Sequence, residues 1–339
     1  MKIFITLQWA VLWFCGAFFN RPDPLLKVEF IYPPNAVDFP SCHASTLTEC
    51  HNGTLLVAWF GGTYERHQDV CIYASRYVKG QWSTPEKIAD GAEDGTKYPC
   101  WNPVLFSLDN GTVALYYKVG PNPRSWWGLY KTSTDHGQSW SPAVRIPDNL
   151  LGPIKNKPIR LLDGNILYPT SFETDDTWNI YLEYSDQNLS QWKKAVVDNS
   201  NTLSIQPTIL KHNSNQLQLL CRSQNGFITE SWSEDGGTTW TPLALTNLPN
   251  NNAGIDAVSL SDGRFLLVHT PLPEGRHKLI VSLSKDGKNW QEAYVLENDQ
   301  PGTEYSYPAV IQTKDNLVHI TYTWRRQLIK HVVLSPQKI

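Results

Sequence analysis

Polar side chains recur where the chain otherwise reads as buried strand. They are His43 in CHASTL, Asn102 in CWNPVLF, Lys155, Asn156 and Lys157 in GPIKNKP, Gln206 in IQPTIL, Asp256 in GIDAV, and Tyr305 with Tyr307 in EYSYPAVIQ. A core strand favours apolar groups, so polar groups converging at one end of several strands mark a binding site. Lys155 and Lys157 share a strand face by alternation and could both meet an anion. In Trp324-Arg325-Arg326 the same alternation turns one arginine, Arg325, inward and the next to solvent. Arg124-Ser125-Trp126-Trp127, after Pro121 and Pro123, reads as a rim loop whose rings could stack on a sugar, with Arg124 as a charged contact. No Cys-x-x-Cys or His/Cys spacing suggests zinc, and no metal or cofactor is expected.

The elements that position these groups come from a repeat. A polar turn pair followed by an alternating apolar strand occurs at Asn52-Gly53, Asn110-Gly111, Asp163-Gly164, Asn215-Gln216, Asp262-Gly263 and Asp315-Asn316. Asn-Gly and Asp-Gly supply the positive φ of tight hairpins, and the alternation supplies half-buried strands. A period of about 50 residues with several strands per unit means propeller blades. A second repeat, S-x-D-x-G-x-[ST]-W, lies out of phase at Ser133–Trp140 and Ser233–Trp240, with a shortened copy at Ser284–Trp290. Worn copies keep the spacing at Ser75 to Trp82 and Ser185 to Trp192. Their Asp and Gly form a compact turn and their Trp plugs the space between strands, so these aspartates are structural. The chain is therefore expected to be all-β, one six-bladed propeller over residues 28–335. A strand at Val28–Ile31 should complete the last blade and close the ring.

Bulk composition agrees. Among 339 residues are 14 Trp and 15 Tyr but one Met, with 23 Pro and 21 Gly, which favours strands and frequent turns. Net charge is −3, with no basic excess to neutralise phosphates, so no nucleic-acid partner is expected. Residues 1–20 open with Lys2 and an apolar run, then reach Arg21-Pro22-Asp23-Pro24. That pattern reads as a signal peptide of a secreted protein, with an uncleaved membrane anchor as the alternative. Five cysteines remain beyond Cys15; Cys42 and Cys50 could bridge, or the thiols could be buried and unpaired.

From His43 to Val333 the chain resembles the bacterial-type sialidase-like proteins with BNR, or Asp-box, repeats. The resemblance rests on HASTL, AWFGGTYE, YPCWNPVLF, GPIKNKP, IQPTIL, CRSQNG, GIDAV, EYSYPAVIQ and TWRRQLIKHV together with the boxes. It implies a metal-free, exo-acting glycoside hydrolase for terminal acidic sugars of glycans, with a carbohydrate as its partner. It implies Tyr305 as nucleophile, Asp69 as acid/base, and Arg222 and Arg276 as holders of a substrate carboxylate. Two positions differ from the family pattern: His43 stands where the first arginine lies, and Gln206 where the glutamate that activates the tyrosine lies. Glu304, Glu173 or Asp256 could substitute for that glutamate, although alternation turns Glu304 away if Tyr305 points inward. Two other readings therefore stay open: a lyase acting on uronate-containing glycans, and a carbohydrate-binding propeller without turnover.

Overall fold

The computed structural model describes residues 23–199 and 202–339. The expected segment 1–20 lies outside the described residues. Six antiparallel sheets follow one another along the chain, each with its first strand innermost. The inner strands are Ser41–Glu49, Cys100–Ser107, Ile159–Arg160, Ser204–Lys211, Asp256–Ser259 and Tyr305–Gln312. They surround a central channel, forming the six-bladed β-propeller read from the repeats. Leu25–Phe30 is the outermost strand of the sixth blade, with Val28 opposite Val332. The ring is thus closed by the N-terminal strand pairing onto the last blade, as expected.

The second strand of a blade is sandwiched between neighbouring blades. Leu55–Gly62, Val113–Val119 and Leu217–Ser223 are buried at every residue. Leu56, Phe60 and Ile72 of the first blade meet Val113, Leu115 and Tyr117 of the second in one cluster. Where the ring closes, Trp59 stacks on Tyr32 at 5.0 Å and shares a cluster with Ala309 and Ile329. Each large apolar side chain buried this way contributes about 1.5–3 kcal/mol, so adjacent blades stabilise each other. Cys42, Cys50, Cys71, Cys100 and Cys221 are all buried and unpaired, the second of the two alternatives.

The box aspartates behave as turn-fixing groups. Asp235 Oδ1 accepts from Ser233 Oγ and Thr239 N, each at 2.9 Å, and its Oδ2 accepts from Thr239 Oγ1 at 2.6 Å. Asp135 and Asp286 repeat the pattern, and Asp186 keeps it in one worn copy. Trp240 and Trp290 each donate their indole N–H to the glycine carbonyl of their own box, at 2.8 and 2.9 Å. These turns sit on the outer edges of the blades, away from the channel.

Candidate active site

Four inner strands share a defect at the same level. Their ladders shift register at His43–Thr46, at Trp101–Val104, at Ile205–Thr208 and at Ser306–Ala309. One residue in each shift has positive φ: Ala44 at 55°, Asn102 at 36°, Gln206 at 54° and Tyr307 at 52°. Proline follows the last three, as Pro103, Pro207 and Pro308. Proline cannot donate to the ladder, so inside a sheet it sits at a bulge, and the bulged residue is aimed off the normal alternation. Asn102, Gln206 and Tyr307 accordingly all face one cavity of about 150 Å³ at the channel mouth. Non-glycine residues with positive φ cluster at functional sites because the strain must be held by surrounding structure.

The wall of this cavity also includes Glu65, Arg66, Trp101, Trp126, Glu173, Trp178 and Arg222. At its floor the Tyr307 phenol oxygen accepts from Arg222 Nη1 at 3.0 Å and from Gln206 Nε2 at 3.2 Å. Arg222 Nη1 also reaches Gln206 Oε1 at 3.2 Å, and its Nε donates to Asn252 Oδ1 at 2.9 Å. The His43 ring lies against the Tyr307 ring, centroids 4.1 Å apart. A Cβ on Gly254 would sit 3.3 Å from Tyr307 Cδ2, so glycine there lets the ring lie close to the backbone. Burial, reinforced by Arg326, Arg276, Arg222 and Lys155, holds the His43 pKa well below the usual imidazole range. His43 is therefore neutral.

Other residues fall differently from the alternation rule. Tyr305 is a correction: its ring is buried in the cluster between the last two blades, and its hydroxyl donates to Asp299 Oδ2 at 2.9 Å, where Arg325 Nη2 binds the same oxygen at 2.6 Å. The bulge after Ser306 brings Tyr307, and not Tyr305, to Arg222. Arg325 is a second correction. It and Arg326 both hold positive φ in the turn after Trp324, which sends Arg325 to solvent and Arg326 inward. Arg326 Nε contacts both oxygens of Glu304 at 3.1 Å, and its Nη1 pairs with Glu65. Arg276 joins this cluster through Glu304 at 3.2 Å, and neither Arg276 nor Glu304 lines the cavity.

Asp69 is not among the cavity residues. Its carboxylate accepts from Thr63 N at 3.0 Å and Thr63 Oγ1 at 2.5 Å and lies 2.8 Å from His67. Partial burial pushes its pKa up, but the Thr63 bonds outweigh this and hold it below the usual range. A carboxylate kept ionised is a poor proton donor, which corrects its acid/base assignment. Lys155, Lys157 and Asp256 are also spent internally. Lys155 donates to Asn156 Oδ1 at 2.9 Å and to the carbonyls of Ile255 and Pro308. Lys157 Nζ sits 2.9 Å from Asp256, which also accepts from Thr208, Ala257 and Val310. These bonds tie four blades together beneath the cavity rather than meeting a ligand. Arg124 pairs with Asp175 at 2.9 Å on the exposed rim, while Trp127 packs on Tyr98 and leaves Trp126 to the cavity.

Residues 53–320 match the family described as BNR repeat-like domain. The chain belongs to that family. No curated protein matches by sequence. Among solved structures it resembles a Hadza microbial sialidase, with TM-score 0.78 and 16% identity over 92% of this chain and 69% of that one. The NanB sialidase from Streptococcus pneumoniae is similar with TM-score 0.73 at 13% identity, over 94% of this chain and 71% of that one. The α-L-arabinanase of Penicillium chrysogenum is similar with TM-score 0.69 at 16% identity, over 93% and 99%. At these identities the likeness is one of fold, shared with glycosidases of more than one kind.

Proposed function

We propose that this protein is a secreted glycoside hydrolase of sialidase type that binds a terminal acidic sugar over the channel mouth. One observation carries the reading: the Tyr307 phenol, bonded to both Arg222 and Gln206, at the floor of a tryptophan-walled cavity. Trp178, half-buried in that wall, supplies a flat face for a sugar ring, while Trp101 and Trp126 pack into the core behind it. Arg222 Nη2 and the whole Arg66 guanidinium have no hydrogen bond among the described residues, which leaves donors for a carboxylate. Tyr307 would face the anomeric carbon, where a neutral phenol avoids repelling a sugar already carrying a carboxylate. The glycosidase neighbours support the class of reaction.

The amide of Gln206 beside the phenol favours a second reading, binding without hydrolysis, because an amide accepts no proton. Product analysis on a panel of sialylated and uronate-containing glycans separates them. A freed reducing sugar, lost in Tyr307→Phe, supports the hydrolase. An unsaturated product absorbing in the ultraviolet assigns a lyase, and bound glycan with no product assigns a carbohydrate-binding propeller.

A further inference from the structure

A hydrolase site needs a group that protonates the departing oxygen, and Asp69 is tied into its own loop. We infer that Glu173 is the catalytic acid/base of this site, a reading that rests on the hydrolase assignment above. Glu173 ends the strand Ile166–Glu173 and stands opposite Trp178 across a short hairpin. Both residues line the cavity that holds Tyr307 and Arg222. Its carboxyl group has no hydrogen bond or ion pair among the described residues. The other carboxylates of the neighbourhood are occupied: Glu65 by Arg326, Glu304 by Arg276 and Arg326, Asp256 by Lys157. An unpartnered carboxyl in a partly buried aromatic wall favours its neutral form. Burial raises the Glu173 pKa, and Arg222, Arg124 and Arg66 restrain the rise. A carboxyl tuned upward in this way can hold a proton in the ground state and release it in the transition state.

The glycosidic C–O bond breaks with its electron pair going to the leaving oxygen, and the Glu173 proton goes to that oxygen, releasing an alcohol. The Tyr307 oxygen lone pairs face the electron-poor anomeric carbon. Water then bonds to that carbon and gives its proton to the Glu173 carboxylate, which restores the starting acid.

The test is Glu173→Gln, which keeps the shape and removes the proton, assayed on the methyl and 4-nitrophenyl glycosides of sialic acid and of glucuronic acid. The variant should melt with the wild type, since no bond is lost. On the methyl glycoside, whose leaving group needs protonation, kcat/KM should fall by about 10²–10⁴-fold. On the nitrophenyl glycoside the loss should be under about tenfold, and the alkaline limb of the pH–rate profile should vanish. If the Gln variant melts early, Glu173→Asp should hydrolyse the methyl glycoside detectably, with its alkaline limb retained. An active wild type with a Gln variant unchanged on the methyl glycoside, or equally impaired on both substrates, overturns the Glu173 role and leaves the hydrolase reading standing. A wild type that hydrolyses neither sugar's glycosides overturns both.

Discussion

Two tyrosines two residues apart make opposite predictions. Tyr307→Phe removes the oxygen that accepts from Arg222 and Gln206 at 3.0 and 3.2 Å. Arg222 keeps Asn252 and Gln206 Oε1 as partners, but Gln206 Nε2, on a residue 4% exposed, is left unpaired. One buried unpaired donor costs about 1–3 kcal/mol. The ring contacts with His43 and Gly254 remain, so no cavity opens. For a chain of this size that cost lowers Tm by about 1.5–4 °C. Turnover should fall much further, by several orders of magnitude, because the group facing the reacting carbon is lost. Tyr305→Phe keeps the buried ring and removes one bond to Asp299, which keeps Arg325 as a partner, so stability should fall by only about 1 kcal/mol and turnover should stay within about threefold. Differential scanning calorimetry and kcat/KM on the glycoside identified by the panel read both. If Tyr305→Phe abolishes turnover while Tyr307→Phe keeps it, the bulge argument and the site built on it are wrong.

Arg222→Lys keeps the charge but loses the planar fork, so it should weaken binding of a carboxylated sugar more than of its neutral analogue, measured by calorimetry. Equal weakening of both would remove Arg222 from carboxylate recognition. Asp235→Ala should cost about 1–2 kcal/mol in urea melts and leave kcat/KM of the folded protein untouched; an inactive but fully stable variant would contradict the structural role of the boxes. The buried histidines should contribute stability that rises with pH between about 4 and 6.5. Burial lowers the His269 pKa to about 4, and burial together with His331 lowers that of His319 to about 4, so the unfolded chain binds more protons in that window. His319 faces His331 at 3.0 Å, with Asp315, Glu29 and Lys27 around the pair, and His269 faces Ser282 with Lys278 nearby. Glu29 continues the dependence below this range: burial raises its pKa, but bonds from His331, Lys27 and Trp82 lower it to about 2, so its stabilisation fades as pH falls from about 4.5. Equal melting temperatures at pH 5 and pH 7 would refute the histidine part.

The fold was legible because its signals are periodic and local. Turn pairs such as Asp262-Gly263 and boxes such as Ser233–Trp240 carry their geometry within eight residues, and their repetition removes the ambiguity of any single copy. The closing strand was read at Val28–Ile31 and lies at Leu25–Phe30. It belongs to no repeat and is placed only by its partner Leu328–Leu334, so its limits could not be read locally. The level of the site was also legible, since His43, Asn102, Gln206 and Tyr307 are polar groups in strands with otherwise buried neighbours.

What alternation could not supply was which residue of each strand faces inward. Strict period two predicts that Tyr305 and Tyr307 share a face and that Glu304 opposes them, and the bulge at Tyr307 breaks that rule. A signal for the break was present in the chain. Pro103, Pro207 and Pro308 each follow a polar residue in the inner strand of their blade, where an unbroken ladder would reject proline. Three such prolines at one position of three blades mark a ring of bulges, and the residue before each is the one re-aimed. Glu173 carried no comparable mark. It is one carboxyl among many at a hairpin end, and what distinguishes it is the absence of a partner once Arg326, Arg276 and Lys157 have taken theirs. That allocation is made between blades far apart in sequence, so it exists only after the ring has closed.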